Sequence, residues 1–210
     1  MSIIVHHLEE SRSQRVLWLM EELGLAYEVK RYPRNAQTRL APPELKALHP
    51  LGKSPLVERN GRIYAESGAI VEFFAETEAQ GALSVLPGDP ARADYLYWLH
   101  FAEGSAMLPL LLKLYVGMLG ENGAPLMQMR IDPEIANHLS FMNAKMEGKD
   151  FFVANRFTAA DIEMSFVLDA GASRGGLENY PNLVRVRAGY QSRPAYQRAL
   201  KTGGPYKMGA

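Results

Sequence analysis

Apolar and polar positions change period along this chain, and the changes divide it. Residues 3–6 form a short apolar run of strand type, and residues 13–23 then place Val16, Met20 and Leu23 at i, i+4 and i+7. That spacing predicts a helix ending at Gly24 as its C′ residue. Residues 27–32 read as a second strand, and a loop rich in Asn, Thr and Pro leads to a short helix over 43–48. Two strand patterns, Leu56-Val-Glu-Arg and Arg62-Ile-Tyr-Ala, flank Asn60-Gly61, a dipeptide suited to the positive φ angles of a tight hairpin. A further helix follows from Gly68. The predicted order over residues 1–81 is βαβαββα, an α/β domain.

Beyond a linker at 82–90, where Pro87, Gly88 and Pro90 crowd together, nearly every segment carries helical periodicity. Helices are predicted over 91–118, 126–146, 159–171, 181–191 and 194–200, so residues 91–210 read as a second, all-α domain. Thr158-Ala-Ala-Asp161 precedes an apolar run and has the form of a capping box, which assigns Asp161 to a helix start and not to chemistry.

Two motifs in the first domain carry chemistry. Pro55 opens a strand without an N–H, and a cis Ser54–Pro55 bond is expected there. This leaves the N–H and C=O of Ser54 at a sheet edge, open to an extended peptide. Ser67 is placed as N-cap of a helix over 68–75, so its hydroxyl and the amides after it make a carboxylate site at a helix N-terminus. Together the two motifs describe a site for a small peptide.

Charge and composition narrow the classes. The 23 basic and 23 acidic residues are spread along the sequence, with no basic patch for nucleic acid or an anionic membrane. Cysteine is absent, which excludes disulfides, a Cys-based metal site and a thiol supplied by the protein. No histidine spacing suggests a metal site. The N-terminus lacks the features of a signal peptide, so a cytosolic location is expected. The apolar run 107–119 is broken by Pro109, Lys113 and Gly117 and falls short of the roughly 20 residues of a membrane span.

This set resembles the glutathione transferases, over essentially the whole chain. The resemblance rests on Ser11-Arg-Ser-Gln-Arg15-Val-Leu, His49-Pro-Leu-Gly-Lys53-Ser-Pro55, Glu66-Ser67-Gly-Ala-Ile and Phe157-Thr-Ala-Ala-Asp161-Ile. The chain looks most like the bacterial and fungal members with a Ser-Arg-Ser segment. The resemblance implies a thioredoxin-like N-terminal domain followed by an all-α helical-bundle C-terminal domain. It implies glutathione as co-substrate with no permanently bound cofactor, conjugation to small hydrophobic electrophiles, and a homodimer. Glutathione-dependent peroxide or disulfide reduction, and a non-catalytic regulatory role, are the alternatives.

By the same resemblance, Ser54 beside Pro55 pairs with the cysteinyl unit, Lys53 meets the glycyl carboxylate, and Glu66 and Ser67 hold the γ-glutamyl end. The thiol is activated by a hydroxyl near the start of the first helix, Ser11 or Ser13, or by Arg12 or a backbone amide. In several classes this serine falls one place earlier, on Glu10 here. Ser11 is preferred, because Ser13 sits where a plain N-cap is expected. The electrophile pocket is expected to draw on Phe101, Gly104, Met107, Leu108 and Tyr115. His6 and His7, at the end of the first strand, are expected to border the cleft.

Overall fold

Ile3–Leu8 forms β1, and its β-branched Ile3, Ile4 and Val5 suit a strand paired on both sides. The computed structural model describes residues 2–120 and 125–209. Glu28–Tyr32 (β2) lies parallel to β1, while Leu56–Arg59 (β3) runs antiparallel to β1 and pairs with Arg62–Ala65 (β4), giving the order β2-β1-β3-β4. The β3–β4 hairpin turns at Asn60 and Gly61, both at positive φ (52° and 76°), as the dipeptide requires.

The helices of this unit are Ser13–Glu22 (α1), Glu44–Leu48 (α2) and Ser67–Thr77 (α3). The mixed sheet with this βαβαββα order is the thioredoxin-like arrangement. Alternation along the strands separates two sets of side chains. Leu8, Tyr32 and Leu56 pack with Leu45 of α2, whereas His7 turns to α1.

Two compact units emerge, Met1–Leu86 with Gln191–Ala210, and Pro87–Tyr190. The first takes in residues 191–210, which the predicted all-α domain, 91–210, also includes. The last helix, Pro194–Gly203 (labelled α9 below), packs on α1. Tyr196 meets Trp18 edge-on at 5.2 Å between ring centroids. Arg193 grips the Glu22 carboxylate with two bonds of 2.6 and 2.9 Å, and Arg198 bonds Glu21 at 2.6 Å. Periodicity announces such a helix but not the surface that its apolar stripe covers.

The second unit is built from Arg92–Phe101 (α4), Met107–Gly117 (α5), Pro125–Lys145 (α6), Ala159–Arg174 (α7) and Pro181–Gln191 (α8), with α9 following in sequence. Helix α7 is its axis, with every residue from Ala159 to Gly171 buried. The predicted capping box stands at its start: the Thr158 N–H donates to Asp161 at 2.8 Å and the Phe152 N–H at 2.9 Å. The single helix predicted over 91–118 is instead interrupted by a π-helical turn at Ala102–Ala106, where the Met107 N–H reaches the Ala102 carbonyl. Pro109 supplies a reason, since its ring crowds the carbonyl four residues earlier and it has no N–H to offer. Among the described residues, no helix is long and apolar enough to cross a membrane.

Candidate active site

Leu8, the last residue of β1, organises the site through its backbone. Its N–H donates to the Ser54 hydroxyl at 3.2 Å, and that hydroxyl donates to the His6 carbonyl at 3.0 Å. The Ser54–Pro55 bond is cis, as expected. Ser54 thus uses its side chain to dock on β1. Among the described residues, its backbone N–H and C=O take no partner, which is the edge an extended peptide needs.

The Leu8 carbonyl faces the other way. It accepts the Ser11 hydroxyl at 2.8 Å and lies 3.2 Å from the Ser13 hydroxyl. The two hydroxyls are 2.7 Å apart, and Ser13 Oγ shares a 2.8 Å hydrogen bond with His7 Nδ1. The expectation that Ser13 is a plain N-cap is corrected here. Arg12 occupies the N-cap position, Ser13 is the first helical residue, and it is the Ser11 hydroxyl that accepts a helix-start amide, the Ser13 N–H, at 3.2 Å. Both serines therefore join one buried cluster at the positive end of α1. Ser13 is fully enclosed at 0% exposure, whereas Ser11 keeps 6%. Burial pushes the His7 imidazole down to about 4, with Arg31 adding to the effect and Glu9 opposing it, so the ring is neutral at pH 7.

The hairpin brings the second motif to the same end. Because Leu56 pairs with Ala65, the chain before β3 and the chain after β4 leave the sheet together. Ser67 is not the N-cap that was expected but the first helical residue of α3. The cap position falls on Glu66, held at φ 71° and ψ 118°, where an L-residue is strained. The Ser67 hydroxyl accepts a bond of 3.2 Å from Arg15 Nη1, and the Arg15 side chain is only 1% exposed. A guanidinium, a hydroxyl and the orphan amides of α3 thus gather at one helix N-terminus, a receptive place for a carboxylate.

A family model of "Glutathione S-transferase, N-terminal domain" matches residues 11–77, and one of "Glutathione S-transferase, C-terminal domain" matches residues 106–194. Glutathione S-transferase 3 of Schizosaccharomyces pombe is 34% identical over 211 residues, covering 92% of this chain and 84% of that protein. Glutathione S-transferase 1 of Saccharomyces cerevisiae is 32% identical, covering 87% of each. A crystal structure of a glutathione S-transferase from Actinobacillus pleuropneumoniae aligns with a TM-score of 0.88 at 31% identity, over 98% of this chain and 95% of that one.

The chain belongs to the glutathione S-transferase family. Glu10, where several classes of the family carry the serine, has another task here. Its carboxylate accepts the Lys207 N–H at 2.6 Å and the Met208 N–H at 3.4 Å, fastening the C-terminal segment beside the start of α1. Arg34 holds the same turn through the carbonyls of Glu9 and Glu10, at 3.0 and 3.1 Å. Arg12 is half-buried, and Lys53 and Glu66 are exposed around the transferase platform.

Residues suggested for an electrophile pocket of the transferase belong to the helical unit and divide by exposure. Leu108 and Tyr115 are each 55% exposed, and Gly104 is exposed in the π turn. Phe101 is half-buried in an aromatic group, stacking on Tyr97 at 5.4 Å and tilted against Phe141 at 5.7 Å. Met107 is committed to the interior of that unit at 2% exposure. Of the two histidines, His6 bonds the Tyr32 hydroxyl at 2.8 Å and His7 joins the serines. Arg15 and the Leu8 backbone were not anticipated. Arg15 stands at the head of the apolar stretch Val16 to Met20, where a charged residue passes for the solvent side of a helix. No pattern in a sequence marks a backbone carbonyl.

Proposed function

We propose that this chain conjugates reduced glutathione to small hydrophobic electrophiles through a thiolate formed in the N-terminal unit. The observation that carries this reading is the double use of Leu8, whose N–H fixes the open Ser54 edge and whose carbonyl fixes the Ser11 hydroxyl. A peptide paired with Ser54 thereby has its cysteinyl side chain delivered toward Ser11 and the N-terminus of α1. Ser67, beside Arg15, takes the γ-glutamyl carboxylate, Glu66 the γ-glutamyl amino group, and Lys53 the glycyl carboxylate.

A free thiol has a pKa of about 8.5 and is mostly protonated at neutral pH. The Ser11 hydroxyl, donating to sulfur, and the positive end of α1 both favour the anion. Lowering the pKa by ~2 units needs about 2.7 kcal/mol, within reach of one charge-assisted hydrogen bond and a helix terminus. The thiol proton leaves to solvent, and the thiolate attacks a carbon of the electrophile, adding to it or displacing a leaving group. Phe101, Gly104, Leu108 and Tyr115 line the electrophile side in this reading.

The enzyme acts in the cytoplasm, in detoxification, as a homodimer. Large apolar side chains left exposed at the end of α5 and the start of α6, among them Met118, Leu119, Leu126 and Met129, support a surface that a second copy covers. Light scattering at twice the mass of one chain tests the dimer. Calorimetric titration with reduced glutathione and with S-methylglutathione tests the site, followed by a spectroscopic assay with a halogenated nitroarene. Binding of both ligands and conjugate formation are expected. No heat with either ligand overturns the reading.

A further inference from the structure

The Ser11, Ser13 and His7 cluster contains more acceptors than protons, and counting them assigns a task to His7. Two hydroxyl protons serve the Leu8 carbonyl, the 2.7 Å contact between the serines, and the 2.8 Å contact with His7 Nδ1. Suppose first that His7 Nδ1 is bare. Ser13 must then donate to it, and the serine pair is a hydrogen bond only if Ser11 donates to Ser13. Turning the Ser11 proton outward, to a sulfur, would leave the two serine oxygens at 2.7 Å with no proton between them.

The other tautomer reverses the chain. With the proton on Nδ1, His7 donates to Ser13, Ser13 donates to Ser11, and the Ser11 proton is free to choose its acceptor. It rests on the Leu8 carbonyl in the empty site and can swing to a sulfur without breaking any other bond. Each bond in such a chain also polarises the next. Of the two serines only Ser11 retains surface, so it is the one placed to deliver that proton to a ligand.

The surroundings of the ring favour this second tautomer. His7 and Arg31 are partners in the parallel pairing of β1 and β2, so their side chains leave the same face of the sheet. Arg31 reaches past His7 to the end of α9, where its Nε donates to the Thr202 carbonyl at 2.9 Å. A Cβ built on Gly203 would lie 3.3 Å from His7 Nε2, and one built on Gly204 would lie 3.4 Å from Arg31 Nη1. His7 Nε2 and the guanidinium thus border the same short segment, Thr202 to Gly204, and positive charge near Nε2 favours a lone pair there over an N–H. Which nitrogen carries the proton is decided by what faces each of them.

We propose that His7 is a positioning residue which, as its Nδ1–H tautomer and through Ser13, directs the Ser11 hydroxyl outward to the glutathione sulfur. The proposal rests on the reading of Ser11 as the thiolate donor. His7 itself touches neither substrate nor the reacting atoms.

The first test is imidazole nitrogen NMR of the unaltered protein with glutathione bound. A proton on His7 Nδ1 is expected, and a proton on Nε2 overturns the proposal. The second compares His7→Leu with His7→Asn, whose side-chain amide can replace the Nδ1–H. Titration of the thiolate ultraviolet absorbance should place the bound thiol pKa of His7→Leu higher by about one unit, a ten-fold smaller thiolate-to-thiol ratio, with His7→Asn close to the parent. S-methylglutathione affinity should stay unchanged in both, which separates proton direction from a damaged site. If Ser11→Ala raises the thiol pKa and His7→Leu does not, the His7 proposal fails alone. If Ser11→Ala leaves the pKa unchanged, the underlying reading of Ser11 fails with it.

Discussion

Arg15 Nη1 donates to Ser67 Oγ at 3.2 Å, joining the first turns of α1 and α3 across 52 positions of sequence. The bond holds the Ser67 hydroxyl against a buried cation, so a ligand carboxylate arriving there meets a fixed donor set. Ser67→Ala should raise the Kd for glutathione about ten-fold, near 1.4 kcal/mol. Calorimetry measures it, and equal affinity in the two proteins removes Ser67 from the site. The thiolate absorbance at saturation should be unaffected, because the sulfur end is held elsewhere.

Glu66 combines an exposed carboxylate with a strained backbone, and two substitutions separate them. Glu66→Ala and Glu66→Gly both lose the carboxylate and should bind glutathione equally weakly. Only the glycine tolerates φ 71° without a Cβ in the way. Glu66→Gly should therefore be more stable than Glu66→Ala by about 1 kcal/mol in denaturant unfolding. The reverse order would show that the strain is illusory.

His7 should make stability depend on pH in acid. Its folded value is pushed down to about 4 from an ordinary 6.5. Between these values the unfolded chain binds the extra proton and the folded one does not, so stability is full above pH 6.5 and falls as the pH drops toward 4. The loss amounts to ~3 kcal/mol. Asp161, raised to about 6 by burial, works in the opposite direction over the range from 3.8 to 6. The two separate in a comparison of urea midpoints for the parent and His7→Asn between pH 8 and pH 4.5, because Asp161 is common to both. The parent should lose more stability than the variant; parallel curves would place the His7 titration elsewhere.

Asp161 itself accepts the Thr158 and Phe152 amides at the start of the buried helix α7. Asp161→Ala strands both donors in the interior. A loss of about 2–4 kcal/mol is expected from urea unfolding at pH 7, the cost of two unsatisfied buried groups. A change below 0.5 kcal/mol, the scale of surface substitutions, would mean that other partners take up both amides.

Much of this was legible before the structure. The βαβαββα order followed from period and turn chemistry, and the Asn60-Gly61 hairpin and the Thr158–Asp161 box are local rules that tertiary contacts did not overrule. The failures share a physical cause, since each depends on contact between segments far apart in sequence. Ser13 looks like a cap until β1 sets His7 against it. Ser67 looks like a cap until the hairpin exit forces Glu66 into the cap position. Arg15 looks solvated until α3 covers it. Pro109 marks a break in the apolar run, but the sequence predicted one continuous helix over 91–118, and the distortion falls one turn before Pro109 at Ala102–Ala106.

The placement of α9 on α1 has a consequence for how the chain is made. Trp18 is fully buried, and Tyr196 of α9 is one of the residues that pack against it. On the ribosome the thioredoxin-like unit must wait with that indole side uncovered while the entire helical unit is synthesised, and it closes only when α9 emerges. The unit written first is thus the one finished last, and a chain halted after the linker would present an apolar indole to whatever chaperone or neighbour it meets.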